Sequence, residues 1–291
     1  MSDCIFINNS AARGGGVYWN ASNGNILFSN FTTNAAELAG GGICWDADNC
    51  ILTDCTFTSN ICNDSGGGAY CWGTNGTISN STFTDNFAKS LGGGLRIYGV
   101  NCTLTDCIFK VNLAYNGGGV NWHGDNGSLS NCIFIDNNAT HNGGGIYWDN
   151  DNGTLINSNF ISNIAEQYGG GVFWNGANGT LNSSTFKNNL AIHGGGVYWG
   201  ATGGKISNSI FTSNTANNDG GGICFGNGGV NGTVTGSTFT SNTATRGGGI
   251  YWWGANSTMS DCNFTNNHAI DANNVYWHWT VDDFLNKYLQ I

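Results

Sequence analysis

The chain has 291 residues, 48 of them Gly and none Pro, and its eight Lys and Arg against eighteen Asp and Glu leave a net charge of −10. So few cations offer no electrostatic footprint for a phosphate backbone or an anionic lipid surface, which excludes nucleic acid as a partner. Stretches of about 18 apolar residues are absent, so no membrane insertion is expected, and the wealth of Thr, Ile, Val, Phe, Tyr and Trp points to strands rather than helices.

The first residues, Met1 to Asn9, carry neither a basic start nor a long apolar run, so they are not a signal peptide. The chain opens inside a repeat, and the expectation is a segment whose export signal lies upstream. Gly-Gly-Gly then begins at residues 14, 40, 66, 92, 117, 143, 169, 194, 220 and 247. A second motif, Phe-x-x-Asn, keeps step with it and ends at Asn9, Asn34, Asn60, Asn86, Asn112, Asn137, Asn163, Asn189, Asn214, Asn242 and Asn267. A fixed period of this kind is the signature of a solenoid.

Comparing copies tells inside from outside. The position after each glycine triplet is always apolar, from Val17 and Ile43 to Ile250, and so is the position two further on, from Trp19 and Trp45 to Trp252. The residue between them tolerates Arg96 and Asn121. Alternation of that kind is a strand with one buried face. A second strand turns Ile26, Leu52, Ile78 and their equivalents inward, and a third carries the repeated Phe. Five residues after each Phe comes Ala, or Cys62 in one copy, which suggests a tight inward corner. Three strands per unit of 25–28 residues describe an all-β, single-stranded right-handed parallel β-helix of about 11 coils. The right hand follows from the general crossover preference.

Stacked coils pile like on like, so the Asn column becomes a ladder in which each amide donates to one neighbour and accepts from the other. Asn also tolerates a left-handed turn. Residues 1–278 make the repeat domain. From residue 279 the pattern changes: Thr280 and Asp283 look like a capping box, and Val281, Phe284, Leu285, Tyr288 and Leu289 recur at helical spacing. A short amphipathic helix over 279–291 is therefore expected to cap the last coil.

Eleven cysteines are many, but their spacing is not a disulfide framework. Cys4, Cys55, Cys107, Cys132 and Cys262 take the place of Ser two residues before the Phe, and only Cys107 and Cys132 are column neighbours in adjacent coils. Reduced, packed thiols are expected. Sequons at Asn75, Asn126, Asn152, Asn178, Asn231 and Asn256 lie in the loop after the Trp strand. The acidic residues Asp46, Asp48, Asp149 and Asp151 in that loop are weak Ca²⁺ candidates, more simply read as solvated turns. No other metal and no cofactor is expected.

Polysaccharide-cleaving chemistry needs carboxylates grouped with cations on one outer face. The best such group is Asp85 and Asp136 with Lys110, on an otherwise ordinary strand face, so no catalytic residue is assigned and an enzyme is not expected. The outward column Tyr18, Tyr70, Tyr147, Phe173, Tyr198 and Tyr251 reads as an exposed aromatic stripe suited to sugar rings or partner side chains.

Phe-x-x-Asn paired with Gly-Gly-Gly-(Ile/Val) resembles the repeats of chlamydial polymorphic membrane proteins. Gly-Gly-Gly-(Ile/Val)-Tyr-Trp with Asn-Gly-Thr is still more similar to adhesin-like surface proteins of methanogenic archaea. The resemblance implies an extracellular, cell-surface β-helix that mediates attachment to glycans or to a protein on a host or partner cell. A polysaccharide lyase or hydrolase of the pectate-lyase-like type and a phage tail-fibre-like protein are the alternatives. The protein is expected to be a monomer rather than a trimer.

Overall fold

The structure, a computed structural model, describes residues 1–278, and the expected helix over 279–291 lies outside the described residues. The described chain forms a right-handed parallel β-helix with no α-helix. Each of the first ten coils has four short strands, one more than the sequence columns suggest, and the eleventh has three among the described residues. In the fourth coil they are Thr82–Thr84, Phe87–Ala88, Leu95–Ile97 and Thr103–Thr105. We call these the Phe, Ala, Trp and Leu strands, after the residue most coils turn inward. The Ala that looked like a corner lies on a strand of its own. Stacking gives three sheets of eleven strands and one of ten, each ordered strictly coil by coil.

Four corners separate the strands, and each demands a left-handed residue. In the fourth coil these are Asp85 (φ 56°), Gly92 (φ 67°), Asn101 (φ 56°) and Asp106 (φ 54°). Asn, Asp and Gly supply that conformation at least cost. The corner before the ladder Asn is always the preceding residue, as Asp85 precedes Asn86, so the ladder Asn itself is not the left-handed one. The glycine triplet makes the sharpest corner. Gly117 has φ +68°, a Cβ on Gly118 would collide with the carbonyl oxygen of Asn138, and one on Gly119 would lie 2.9 Å from the Phe134 ring.

Register is residue on residue: Phe109 pairs with Phe134, Leu104 with Leu129 and Trp122 with Trp148. Successive rings of the Phe column stand 4.6–4.9 Å apart and nearly coplanar, as Phe57–Phe83 (4.6 Å, 3°) and Phe109–Phe134 (4.9 Å, 7°) show. The Trp column is as regular where it is continuous, with Trp122, Trp148 and Trp174 spaced at 4.6 Å.

The buried Asn column is hydrogen-bonded to capacity. Asn60 Nδ2 donates to Asn86 Oδ1 (3.0 Å) and to the Phe31 carbonyl of the preceding coil (2.9 Å). Asn60 Oδ1 accepts from the backbone N–H and the Nδ2 of Asn34, both at 3.0 Å. The same four bonds recur along the interior of the rod. A hydroxyl ladder braces the next corner: the N–H of Ser158 donates to Ser184 Oγ and that of Ser184 to Ser209 Oγ. Cys55 and Cys132 take the Ser place there, each thiol donating to the carbonyl two residues back at 3.2 Å.

Two stability outcomes follow. Asn137→Ala strips partners from the Asn112 N–H and side-chain amide and from the Phe109 carbonyl, all buried. Buried groups left unpaired each cost about 1–3 kcal/mol, so a loss of about 3–5 kcal/mol is expected, against less than half of that for the end residue Asn9→Ala; urea unfolding of both variants reads the difference. Val111 holds the left-handed corner (φ 57°) where other coils have Asn, Asp, Ser or, once, Thr. Val111→Asn should raise stability by about 1 kcal/mol in the same assay.

Candidate functional site

The middle residue of each Trp strand points away from the core, but in most coils it does not meet open solvent. Just before the glycine triplet, the extension of the Ala strand forms its own ladder, through bridges such as Ala39 to Ser65 and Tyr168 to His193. The left-handed first glycine then turns the chain back. The outer side of the Trp sheet is thereby folded against the side chains of that extension, and the two make a re-entrant corner along the rod.

This corner covers most of the stripe expected to be exposed. Tyr70, Phe173 and Tyr251 are buried, Tyr147 and Tyr198 are half-buried, and Tyr18 alone is well exposed, at 44%. Their covers are specific. Tyr168 packs on Tyr198 with centroids 4.5 Å apart, and the guanidinium of Arg246 lies 5.0 Å above Tyr251. Cys44 and Tyr70 cluster with Ala39. Burial pushes the Tyr147 and Tyr251 hydroxyls up to about 12, and the Cys44 thiol likewise, so all stay protonated at neutral pH.

The exposed rings stand one column further on, directly after the buried Trp position. Trp72 (50% exposed) stacks on Tyr98 at 4.5 Å, and Tyr98 on His123 at 4.8 Å. Sequence columns missed this stack because most other coils place Asp, Asn or Gly at the same site. Trp253 and His278 repeat the arrangement at 4.5 Å near the far end.

The corner has an opening at coils one to four. Cys44 stands between Tyr18 and Tyr70 in the column, and its small side chain leaves a gap where neighbouring coils place rings. The opening has a volume of about 220 Å³ and is lined by Arg13, Cys44, Asp46, Tyr70, Trp72 and Arg96 among others. Tyr98 covers one face of Trp72, and Trp72 borders the opening beside Asp46. Arg96 lies over Tyr70 at 5.4 Å and donates from Nη1 to Ser65 Oγ at 2.9 Å, while its buried Nε has no acceptor. The Tyr18 hydroxyl donates to Asp46 at 2.8 Å, with Arg13 3.6 Å from the same carboxylate. The opening thus offers aromatic surface, two carboxylates (Asp46 and Asp64) and two guanidinium groups in one place.

The four acidic loop residues are distributed differently from a metal cage. Asp46 holds Tyr18 and Arg13. Asp48 accepts from the N–H and hydroxyl of Thr74, contacts that hold its carboxyl below the ordinary range. Asp149 is bonded by His123 at 2.9 Å and Asn175 at 3.1 Å, and Asp151 accepts from the N–H of Ala177. No group of three such ligands converges among the described residues. Asp85 and Asp136, on opposite sides of Lys110, are left-handed corner residues rather than strand residues, and Asp85 accepts from the Ser59 hydroxyl at 2.9 Å. The sequon residues Asn75, Asn101 and Asn126 occupy another left-handed corner and form an exposed amide ladder of their own, Asn126 Nδ2 donating to Asn101 Oδ1 at 3.2 Å.

A second node of the corner is built on Asp219, whose side chain is only 3% exposed. It accepts from Arg246 Nε at 2.7 Å and Nη2 at 3.0 Å, and lies 2.8 Å from His193 Nδ1. Burial alone would raise its pKa, but the His193 and Arg246 hydrogen bonds outweigh it and hold the carboxyl below the ordinary range. A carboxylate with a depressed folded pKa stabilises above its unfolded pKa of about 4 and loses that contribution as pH falls through the folded value. The gap in stability between the native chain and Asp219→Asn should therefore shrink as the pH falls below about 4; thermal melts on either side of that pH check it.

Residues 170–277 match the family model for a right handed beta helix region, and residues 131–147 match the Chlamydia polymorphic membrane protein repeat. No curated protein matches the chain. Among solved structures, the crystal structure of a TibC-catalyzed hyper-glycosylated TibA fragment is similar at 17% identity, covering 96% of this chain and 91% of that one with a TM-score of 0.30, too low for anything about that site to be read onto this one. The chain thus has the fold of a right-handed β-helix, and one short stretch of it is similar to the polymorphic membrane protein repeat.

Proposed function

We propose that the chain is the binding shaft of an adhesin-like, cell-surface β-helix and attaches to carbohydrate through the re-entrant corner at coils one to four. The gap at Cys44 carries this reading. Between Tyr18 and Tyr70 the column loses a ring there, beside Trp72 and two arginines. A pyranose ring entering the gap would take the place of the missing side chain, with its apolar face on an aromatic ring and its hydroxyls toward Asp46, Arg13 and Arg96. Aromatic platforms flanked by fixed polar groups are the usual means of holding a sugar.

The corner is read as binding rather than catalytic. Its carboxylates at Asp46, Asp149 and Asp219 are each engaged by a cation, hydroxyl or imidazole, an arrangement that orients side chains and braces coils. The repeat type and its likeness to polymorphic membrane proteins support a surface role, with the monomer as the working unit.

Cys44→Tyr tests the reading by completing the column. It should fill the gap, leave or raise the melting temperature, and lower affinity for any sugar retained on a glycan array at least about tenfold. Trp72→Ala should do the same with the fold intact, whereas Tyr147→Ser should not. Undiminished binding by Cys44→Tyr would place the ligand elsewhere.

A further inference from the structure

The Trp column breaks where sulfur enters the core. In regular coils an indole lies over a glycine five residues later, as Trp122 over Gly127 and Trp148 over Gly153, and a Cβ on that glycine would run into the ring. In the third coil the indole is replaced by Cys71, and in the fourth by Ile97. The glycine is replaced by Cys50 in the second coil and by Cys102 in the fourth. Around Cys50 the indole column is irregular: the Trp19–Trp45 pair stands 5.6 Å apart and 29° from parallel, against 4.6 Å and 3° for Trp122–Trp148. Two absent indoles and two added thiols thus gather three sulfur atoms in one pocket of the core.

The gathering is tight. Cys50 Sγ and Cys71 Sγ are 3.3 Å apart, and all three residues are buried. Gly76 lies among them: a Cβ there would stand 2.9 Å from Cys50 Sγ, 3.0 Å from Cys71 Sγ and 3.4 Å from Cys102 Sγ. A residual void of about 10 Å³ beside Cys50 and Cys71 leaves room for the sulfurs to move together. A disulfide bond of about 2.05 Å requires the two sulfurs to close the remaining gap.

The geometry points to an inter-coil disulfide between Cys50 and Cys71 when the chain folds under oxidising conditions, with Cys102 left as a thiol. The oxidant is a small disulfide such as oxidised glutathione. The thiolate of one cysteine attacks the glutathione disulfide, releasing one glutathione thiol and forming a mixed disulfide. The other cysteine gives up its proton and displaces the second glutathione, so two protein thiols lose two electrons and the oxidant gains them. Because both sulfurs are buried in the finished fold, the exchange belongs to the stage before the third and fourth coils close over them. The bond would tie the second coil to the third where the stacked indoles are interrupted. This inference is independent of the carbohydrate reading, and either can fail without the other.

The full chain is refolded in a glutathione redox buffer or in excess reductant. Free thiols are then alkylated in denaturant, and the chain is cleaved with pepsin for mass spectrometry. The expected result is one linked peptide pair joining Cys50 to Cys71, with every other cysteine alkylated. The oxidised form should melt higher by an amount on the order of 5 °C, a shift absent from Cys71→Ser. Complete alkylation after oxidative refolding overturns the proposal. So does a link between Cys71 and Cys102 or between Cys107 and Cys132.

Discussion

Everything in this molecule depends on one coil sitting on the next in exact vertical register, and the buried Asn column fixes that register. A strand pair alone can slip, since a backbone ladder looks the same from one residue to the next. An Asn that must reach Asn above, Asn below and a Phe carbonyl cannot slip, because any shift leaves buried amides unpaired. The apolar columns stack as a consequence. Phe falls on Phe and Trp on Trp at the coil spacing, and no coil has to build a core of its own. Packing supplies most of the burial, while the amide ladder supplies the alignment.

In a body this regular, departures from the column are where chemistry enters. Cys44 in a column of rings opens the corner, and Arg96 two coils on places a guanidinium beside the opening. Cys71 and Ile97 in the indole column, with Cys50 and Cys102 in place of glycine, bring three sulfurs together. The regular coils, such as those around Trp148 and Trp174, hold the rod. The irregular ones, near the first coils, carry its distinctive groups. A repeat scaffold tolerates this because each coil contacts only its neighbours, so a local loss is not propagated far.

The period, the inward columns and the amide ladder were legible in the sequence, because stacking makes each a column of like residues. The fourth strand was not: it runs from two residues in Phe87–Ala88 to five in Ala35–Ala39, its outward residues change from coil to coil, and its one repeated small residue imitates a corner. The covered state of Tyr70, Phe173 and Tyr251 was also hidden. Alternation shows only that a side chain leaves the core, and what covers these rings are Tyr168, Arg246 and Ala39, which stand in a variable stretch with no column of its own. The sulfur cluster escaped because Cys50 and Cys102 sit in the loop-glycine column and Cys71 in the indole column. The available signal was their shared departure: glycine is lost in coils that flank the missing indole.

The most direct test of the central claim is the hydrogen exchange of asparagine side-chain amides, followed by NMR on chain labelled at Asn. If the ladder fixes the register, the Nδ2 protons of Asn60, Asn86, Asn112, Asn137, Asn163, Asn189 and Asn214 will exchange orders of magnitude more slowly than those of the exposed Asn49, Asn75 and Asn101, and will be released together on unfolding. Equally fast exchange in both sets, with the backbone still protected, would mean that the coils are aligned by something other than the buried amides.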